Sequence, residues 1–366
     1  MHGSELSGRE KSIYDLLCDK ESKAVFDTRR FFAMTQDESH FADVFVNRKQ
    51  LGEVLHQLGN KPYAMWGGGY SGQLFIRYFY LKGISDNCVG IWDINPQLHG
   101  KTCLYTDHKT TPPDFEKLSS IDYILLTVIS DKAANSITES LTANGFPADK
   151  IIAVEPFGKA LGRLTYEEFT QYFEKDIITP SLSENEIFVD VGCCNFITSE
   201  RFIDLAPSVK RIYAFEPDLE NMQLVLQAVA SRGWYVYSIT KLFNVALWFS
   251  DTVLDFFVDT ANKGASRVVP DNSNTTVTAR KLDSIIAPED KVTFIKMDIE
   301  GSELEALKGS AEIIKRDKPK LAISIYHKPT DYVDIAEYIC SLVPEYKLYM
   351  RQYTPLQWET VLYCVL

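Results

Sequence analysis

Short apolar runs recur along the first half of the chain, separated by polar and amphipathic stretches. They lie at 62–66, 89–93, 123–129 and 151–154. Runs of this length, bounded by turn residues, are typical of buried strands. Because helix-like stretches follow the first and the third run, the pattern predicts a parallel, doubly wound sheet. Residues 59–157 are therefore predicted to form a Rossmann-like domain.

A second series of strands and helices begins at residue 187. The predicted strands are 187–191, 211–215, 242–247, 253–257, 294–297, 320–325, 346–349 and 359–364. The predicted helices are 199–206, 219–230, 302–314 and 333–343. Since no helix separates the last strands, this sheet is predicted to end in antiparallel pairing. Residues 184–366 form the second predicted domain, and the fold class is α/β with two doubly wound Rossmann-like domains.

Two further segments show helical patterns. Residues 1–58 carry apolar positions such as Ile13, Val25 and Phe32 at roughly helical spacing, with charges on the other face. We interpret them as a helical N-terminal segment with a packing role. Residues 158–183 are predicted to be a helical connector between the two domains. Its packing stripe is aromatic, with Tyr166, Phe169, Tyr172 and Phe173.

The composition is that of a globular protein. Hydrophobic residues make up 45% of the 366 positions and charged residues 24%. The net charge of −12 argues against nucleic acid as the main partner, because nucleic-acid binders usually present a basic face. No apolar run reaches the ~18 residues of a membrane span, and no signal peptide is visible, so a cytoplasmic location is predicted. Seven cysteines without Cys-x-x-Cys spacing predict neither disulfides nor a structural zinc site.

The first glycine turn lies between a predicted strand and a predicted helix. Gly67, Gly69 and Gly72 match the Gly-x-Gly-x-x-Gly fingerprint of dinucleotide-binding domains. Asp93 ends the next strand, where a ribose-binding carboxylate is expected. A bound nucleotide or nucleotide-sugar is one interpretation of this turn. A purely structural turn that binds no ligand is the other.

The second glycine turn follows the strand that begins at Ile187. Asp190 lies on this strand and Gly192 opens the turn, and Glu216 ends the following apolar strand. A carboxylate at the tip of the second strand can accept both hydroxyls of a ribose. S-adenosylmethionine carries no phosphate, so its site needs carboxylates and small turns more than anion-binding charge. This arrangement therefore fits S-adenosylmethionine better than a dinucleotide.

A series of motifs in the second half of the chain leads to a known family. They are Val189–Gly192, Tyr213–Pro217, Leu282–Asp283, Ile295–Glu303 and Ile323–Pro329. On these motifs, residues 187–331 resemble the FkbM family of class I methyltransferases. The Lys-x-Asp-x-Glu-Gly-x-Glu run is the most specific of them. The resemblance implies a class I methyltransferase fold, S-adenosylmethionine as cofactor, and methylation of hydroxyls on small molecules or saccharides.

The resemblance also implies roles for individual residues. Asp190 and Gly192 would line the cofactor turn, and Glu216 would hold the ribose. Asn244 to Ala246 would lie near the adenine. Position 196 departs from the pattern, because Phe196 stands where the family usually has the last glycine of its turn.

The candidate catalytic residues are Asp298, Glu300 and His327, which follow the ends of two predicted strands. Strand carboxyl ends face the ligand crevice of a doubly wound sheet. His327 is a candidate general base for alcohol methylation, because a near-neutral pKa suits that role; Asp298 is the alternative base. Asp298 and Glu300 could instead hold a hard divalent cation, although no metal site is predicted. Glu303 is interpreted as a helix cap.

These patterns leave three functional hypotheses. The first is an S-adenosylmethionine-dependent O-methyltransferase that acts on a small-molecule or saccharide hydroxyl. The second is a nucleotide-sugar or dinucleotide binding protein with a degenerate methyltransferase domain, and Phe196 is the feature that favours it. The third is an oxidoreductase that uses the first glycine turn. It ranks lowest of the three.

Overall fold

A computed structural model describes nine stretches of the chain. They are residues 6–38, 40–44, 54–81, 83–103, 106–128, 131–153, 171–260, 262–354 and 356–366. The chain divides into two compact units, one of Met1–Thr35, Thr170–Arg351 and Trp358–Leu366, the other of Gln36–Phe169 and Gln352–Gln357. The first half of the predicted connector, with Tyr166 and Phe169, lies outside the described residues, as does Val154.

Two N-terminal helices belong to the first of these units. They are α1 (Gly8–Leu16) and α2 (Lys20–Thr35). A capping box starts α1, in which Ser7 Oγ accepts the Glu10 N–H and the Glu10 carboxylate accepts the Ser7 N–H. Ile13, Val25 and Phe32, which were predicted to pack, are buried.

The middle unit contains a five-stranded sheet. Its strands are β1 (Tyr63–Trp66), β2 (Cys88–Trp92), β3 (Thr110–Thr111), β4 (Tyr123–Leu126) and β5 (Ile151–Ala153). Its helices are α3 (Phe41–Val44), α4 (Tyr70–Leu81) and α5 (Asp131–Ala143). The strand order is β3-β2-β1-β4-β5 and every pairing is parallel. The Rossmann-like fold predicted from the alternating pattern is confirmed.

The second half of the chain contains eleven strands in the described residues. They are β6 (Glu186–Val191), β7 (Val209–Phe215), β8 (Thr240–Phe243), β9 (Ala246–Leu247), β10 (Thr252–Phe257), β11 (Arg267–Val268), β12 (Thr275–Arg280), β13 (Phe294–Met297), β14 (Lys320–Ser324), β15 (Lys347–Gln352) and β16 (Thr360–Val365). Seven of them form a sheet of order β15-β16-β14-β13-β6-β7-β8. The pairing of β14 with β16 is antiparallel, which confirms the predicted end of the sheet.

Six helices accompany these strands in the described residues. They are α6 (Ile197–Leu205), α7 (Leu219–Ser231), α8 (Trp234–Ile239), α9 (Glu303–Lys308), α10 (Ala311–Asp317) and α11 (Asp331–Leu342). The single helix predicted over 302–314 is two helices, since α9 ends at Gly309. Gly309 lies so close to the backbone of Trp248 that a Cβ on Gly309 would be 2.0 Å from the Trp248 carbonyl oxygen. Gly309 thus has a packing role that its sequence position did not reveal.

A small second sheet was only partly predicted. The strand expected over 242–247 is divided between β8 in the large sheet and β9 in a four-stranded sheet of order β11-β10-β12-β9. Strand β12 was missed because most of its residues are exposed or half-buried, so the sequence Thr-Thr-Val-Thr-Ala-Arg shows no regular alternation.

An aromatic cluster fixes the last part of the predicted connector against the large sheet. Phe173 packs on Phe188, Phe202 and Phe294, with ring centroids 6.0 to 6.3 Å apart. All four rings are buried. This packing holds the neighbouring Tyr172 in place.

Among the described helices, none combines the length and apolar character that crossing a membrane would require.

Candidate active site

The turn after β6 is built on glycine and on left-handed backbone. Gly192 has a φ of +75°, and a Cβ on it would lie 2.0 Å from the Asp298 carbonyl oxygen. Cys194 and Phe196 also have positive φ values, of 48° and 73°. The carboxyl ends of β6 and β13 therefore approach each other so closely that only glycine fits between them.

Asp190 lies beneath this turn and is fully buried. Its carboxylate accepts the hydroxyl of Ser199 at 2.7 Å and pairs with Lys296 Nζ at 3.2 Å. Lys296 also donates to the Gly192 carbonyl at 2.7 Å. Burial alone would lower the pKa of Lys296, but the charges of Asp190 and Asp298 raise it. This buried ion pair anchors the turn from behind.

Glu216 lies at the end of β7, beside the glycine turn. Its carboxylate accepts backbone N–H groups from Cys194 at 3.0 Å and from Asp218 at 2.9 Å. Burial raises its pKa to about 7, against the lowering effect of these two hydrogen bonds. The side chain is fixed by its neighbours and exposes only 5% of its surface.

A cavity opens beside these residues, with about 570 Å³ of empty space that includes open solvent. Its walls include Gly192, Glu216, Asp298 and Glu300. Among the described lining residues, carboxylates outnumber the single cation, Lys263. The cavity therefore favours neutral or positively charged ligands.

Strand β9 and helix α7 supply further walls of this cavity. Ala246 and Asn221 line it, together with the predicted turn residue Gly192. The Asn221 side-chain oxygen is buried and accepts no hydrogen bond from a described residue. Asn244 does not line this cavity but donates to the Glu216 and Pro217 carbonyls at 2.9 and 3.0 Å. Asp190 is likewise absent from the described walls, because it lies behind the turn.

Phe196 occupies the position at which the resemblance would place glycine. Its φ of +73° is the left-handed conformation that glycine adopts most easily, so the backbone keeps the glycine geometry. The ring is fully buried and is not among the residues lining the cavity. The aromatic side chain therefore packs inside the unit rather than into the cavity.

Asp298, Glu300 and His327 come together at the ends of β13 and β14. His327 Nε2 lies 3.5 Å from Asp298 Oδ1 and 3.5 Å from Glu300 Oε2. The third carboxylate, Glu303, contacts His327 Nδ1 at 3.0 Å. Burial alone would lower the pKa of His327, but the charges of Glu303, Glu300 and Asp298 raise it well above its usual value. The imidazole is therefore protonated at neutral pH.

Asp298 is held in its ionised form. Burial would raise its pKa, but the charges of His327 and Lys296 and a hydrogen bond from Tyr172 lower it. The Tyr172 hydroxyl donates to Asp298 Oδ2 at 2.6 Å, and the Tyr326 hydroxyl lies 3.3 Å from Oδ1. Asp298 thus presents a fixed negative charge at the cavity wall.

The sequence patterns did not predict a functional role for several of these residues. Lys296 lies within the most specific motif but reads as part of an apolar strand. Tyr172 was assigned to a packing stripe, and Tyr326 only to a strand. Glu359 is hydrogen-bonded by Gln171, and burial, together with the charge of Asp298, raises its pKa to about 7. The only sequence signal for Lys296 was a charged residue inside an otherwise apolar run.

Packing requires two of the glycines in the first glycine turn, which lies in the middle unit. A Cβ on Gly72 would lie 1.8 Å from the Gly67 carbonyl oxygen, and one on Gly67 would lie 2.7 Å from Thr127 Oγ1. Gly69 has no neighbour within 4 Å of its Cβ position. Asp93 accepts the Gly68 N–H at 2.8 Å through Oδ2 and the Asn95 N–H at 2.8 Å through Oδ1. Each carboxylate oxygen thus already has a backbone partner.

Comparison with known proteins relates the fold to an enzyme of similar length. A crystal structure of the methyltransferase FkbM from Methylobacillus flagellatus KT matches at a TM-score of 0.50 and 21% identity, over 94% of this chain and 99% of that one. An rRNA methylase from Streptococcus thermophilus matches at 0.34 and 17%, over 52% and 92% of the two chains. Fibrillarin from Aeropyrum pernix, solved with S-adenosyl-L-methionine, matches at 0.30 and 12%, over 50% and 67%. No curated protein sequence matches significantly.

The sequence itself identifies the family. Residues 190–349 match the family described as the methyltransferase FkbM domain. That segment contains the turn at Gly192, Glu216 and the cluster around His327. The resemblance drawn from the motifs is confirmed, and with it the class I methyltransferase fold. The chain thus contains a methyltransferase FkbM domain over residues 190–349 and is an S-adenosylmethionine-dependent methyltransferase.

Proposed function

We propose that this methyltransferase transfers the methyl group to a hydroxyl oxygen of a small molecule or saccharide. The observation that supports this is the ionised Asp298 carboxylate on the wall of the cavity that Gly192 and Glu216 also line. The methyl-transferring unit in this proposal is the one that contains the seven-stranded sheet.

The residues present fit S-adenosylmethionine. Glu216 offers a buried carboxylate for the two ribose hydroxyls, and the missing Cβ of Gly192 lets backbone reach the cavity wall. The orphaned oxygen of Asn221 can accept a hydrogen bond from the ligand. When bound, this cofactor supplies a methyl group on a positively charged sulfonium. The acidic walls of the cavity favour that charge.

Asp298 is the better candidate to receive the hydroxyl proton. A general base must be unprotonated, and the raised pKa of His327 keeps its imidazole protonated at neutral pH. Asp298 is ionised and lines the cavity. In this proposal His327 therefore acts by holding Asp298 and Glu300 in position.

Carboxylates on the cavity wall also favour an acceptor rich in hydroxyls. Asp298 and Glu300 are acceptor-only groups when ionised, so they bind hydroxyl donors and repel anions. A sugar or polyol hydroxyl satisfies this requirement, and a phosphate or carboxylate does not. A nucleotide at the first glycine turn is not part of this proposal.

Matched pairs of saccharides with and without a hydroxyl test this proposal. With S-adenosylmethionine present, only the hydroxyl member of a pair should yield S-adenosylhomocysteine and a product heavier by one methylene. Asp298→Asn should lower kcat by about 10²- to 10⁴-fold, the range for a lost general base, while S-adenosylmethionine still binds. Turnover of the deoxy member at the same rate would contradict hydroxyl methylation.

Cofactor binding should depend on pH through Glu216. Its pKa of about 7 means that the carboxyl gains a proton as the pH falls through 7, and a protonated group accepts two ribose hydroxyls less well. We expect the Kd for S-adenosylmethionine, measured by isothermal titration calorimetry, to rise about tenfold between pH 8 and pH 6. Glu216→Gln should bind more weakly and show little of this dependence. A wild-type Kd equal at both values would refute the assignment of the ribose to Glu216.

A further inference from the structure

Asp298, Glu300 and His327 bring one potential ligand atom each into a small volume. The three atoms lie within 4.8 Å of one another. His327 Nε2 is 3.5 Å from Asp298 Oδ1 and 3.5 Å from Glu300 Oε2. A tetrahedral ion with bonds of roughly 2.0–2.2 Å holds its ligand atoms about 3.3–3.6 Å apart. Both distances from His327 Nε2 to the carboxylate oxygens lie within that range.

The imidazole of His327 is a second and independent observation. Its side chain is only 8% exposed, and neither ring nitrogen has hydrogen-bond geometry toward a described residue, although carboxylate oxygens lie 3.0 to 3.5 Å away. A buried polar group without a well-directed hydrogen bond is unfavourable, and such groups are rare in folded proteins. A bond from Nε2 to a cation between the two carboxylates would supply that partner.

Neighbouring side chains orient the three ligands. Glu303 faces His327 Nδ1, so when a cation displaces the proton from Nε2, the proton that stays on Nδ1 leaves the Nε2 lone pair directed at the other carboxylates. The Ile299 N–H fixes Glu303 at 2.8 Å, and the Tyr172 and Tyr326 hydroxyls fix Asp298 through Oδ2 and Oδ1. Metal-bound histidines almost always have such a carboxylate, carbonyl or water at the other ring nitrogen.

We propose that Asp298, Glu300 and His327 form a binding site for a divalent cation with a zinc-like preference for four ligands. Three protein ligands leave one position open, as in catalytic zinc sites. Because Asp298 and Glu300 also line the cavity, an acceptor hydroxyl there would take the fourth position. That consequence rests on the proposed hydroxyl methylation, whereas the cation site itself does not.

Cobalt(II) titration of the metal-free, full-length protein tests the site. We expect one cobalt per chain, with the visible absorption of four-coordinate cobalt, and its displacement by zinc. Glu303→Gln should weaken binding by about 10- to 100-fold, the effect of losing a group that orients a ligand. Glu300→Gln and His327→Ala should weaken it further. Glu312→Gln, a surface carboxylate paired only with Lys315 in the described contacts, should bind cobalt as the wild type does.

The outcomes separate this site from the proposed methyl transfer. Circular dichroism first establishes that each variant is folded. Glu300→Gln is the milder of the two ligand substitutions, because the Glu300 side chain is partly exposed. Two results would overturn the cation site and leave the proposed methyl transfer untouched. One is a protein that binds S-adenosylmethionine but no cobalt, and the other is cobalt binding that is as tight in Glu300→Gln and His327→Ala as in the wild type. Stoichiometric cobalt binding lost in both ligand variants supports it, even where no saccharide hydroxyl is methylated.

Discussion

Replacing Gly192 by alanine should abolish detectable S-adenosylmethionine binding and destabilise the fold. Its added Cβ would lie 2.0 Å from the Asp298 carbonyl oxygen, which is backbone and cannot rotate away. The φ of +75° adds strain of about 1–2 kcal/mol for any residue with a Cβ. Relieving the clash requires β6 and β13 to separate, and overpacking of this kind typically costs about 1–3 kcal/mol more. Both strand ends carry cavity residues, so the cavity should deform with them.

Gly83→Ala is the matched control for this substitution. Gly83 has a φ of +71°, close to that of Gly192, but no atom lies within 4 Å of its Cβ position. Gly83→Ala therefore measures the effect of backbone strain without a steric clash. Thermal denaturation and calorimetric titration should show a small loss of stability and normal cofactor binding for Gly83→Ala. Equal behaviour of the two variants would show that the contact with Asp298 does not matter.

The order of strands and helices was largely predictable because each element carries its own local signal. Buried strands such as β6 and β13 are continuous apolar runs, and the carboxylates that follow them mark the carboxyl end of the sheet. This is why Glu216 and Asp298 could be placed at the site in advance. Strand β12 carries no such signal, since its exposed threonines face solvent on a small second sheet.

The interior of the site could not be predicted because it depends on contacts between distant positions. Tyr172 reaches Asp298 across 126 residues, and only the packing of Phe173 on the sheet brings it there. Asp190 was expected to line the cofactor turn, but its pairing with Lys296 depends on the register of β6 against β13. A one-residue change in register would turn it to the other face.

The charges of the site also act as a group. Three carboxylates surround His327, and their combined field, more than the identity of any one residue, determines that the imidazole holds its proton. A histidine considered alone has a near-neutral pKa and suggests a base. The role inferred for His327 changed because Glu303, assigned to a helix cap, also contacts its Nδ1.

Lys296→Met should destabilise the unit that contains the seven-stranded sheet more than any surface substitution. The ammonium group is 4% exposed, pairs with Asp190 and donates to the Gly192 carbonyl. Methionine fills a similar volume but leaves the Asp190 carboxylate buried with Ser199 as its one hydrogen-bond donor among the described residues. Breaking a buried ion pair in this way costs about 3–5 kcal/mol, which corresponds to a fall in Tm of roughly 6–20 °C. The glycine turn loses its anchor, so cofactor affinity should fall as well.

A double-mutant cycle distinguishes the ion pair from simple packing. Asp190→Asn combined with Lys296→Met removes both charges, so the double variant should recover part of the stability lost in Lys296→Met. Lys315→Met breaks an exposed ion pair with Glu312 and should change stability by less than about 1 kcal/mol. If Lys296→Met had the same Tm as Lys315→Met, the Asp190–Lys296 pair would not be what anchors the turn. The same would follow if adding Asp190→Asn lowered the Tm of Lys296→Met further. The expected recovery would identify the Asp190–Lys296 pair as the support on which Gly192, and with it the cofactor cavity, depends.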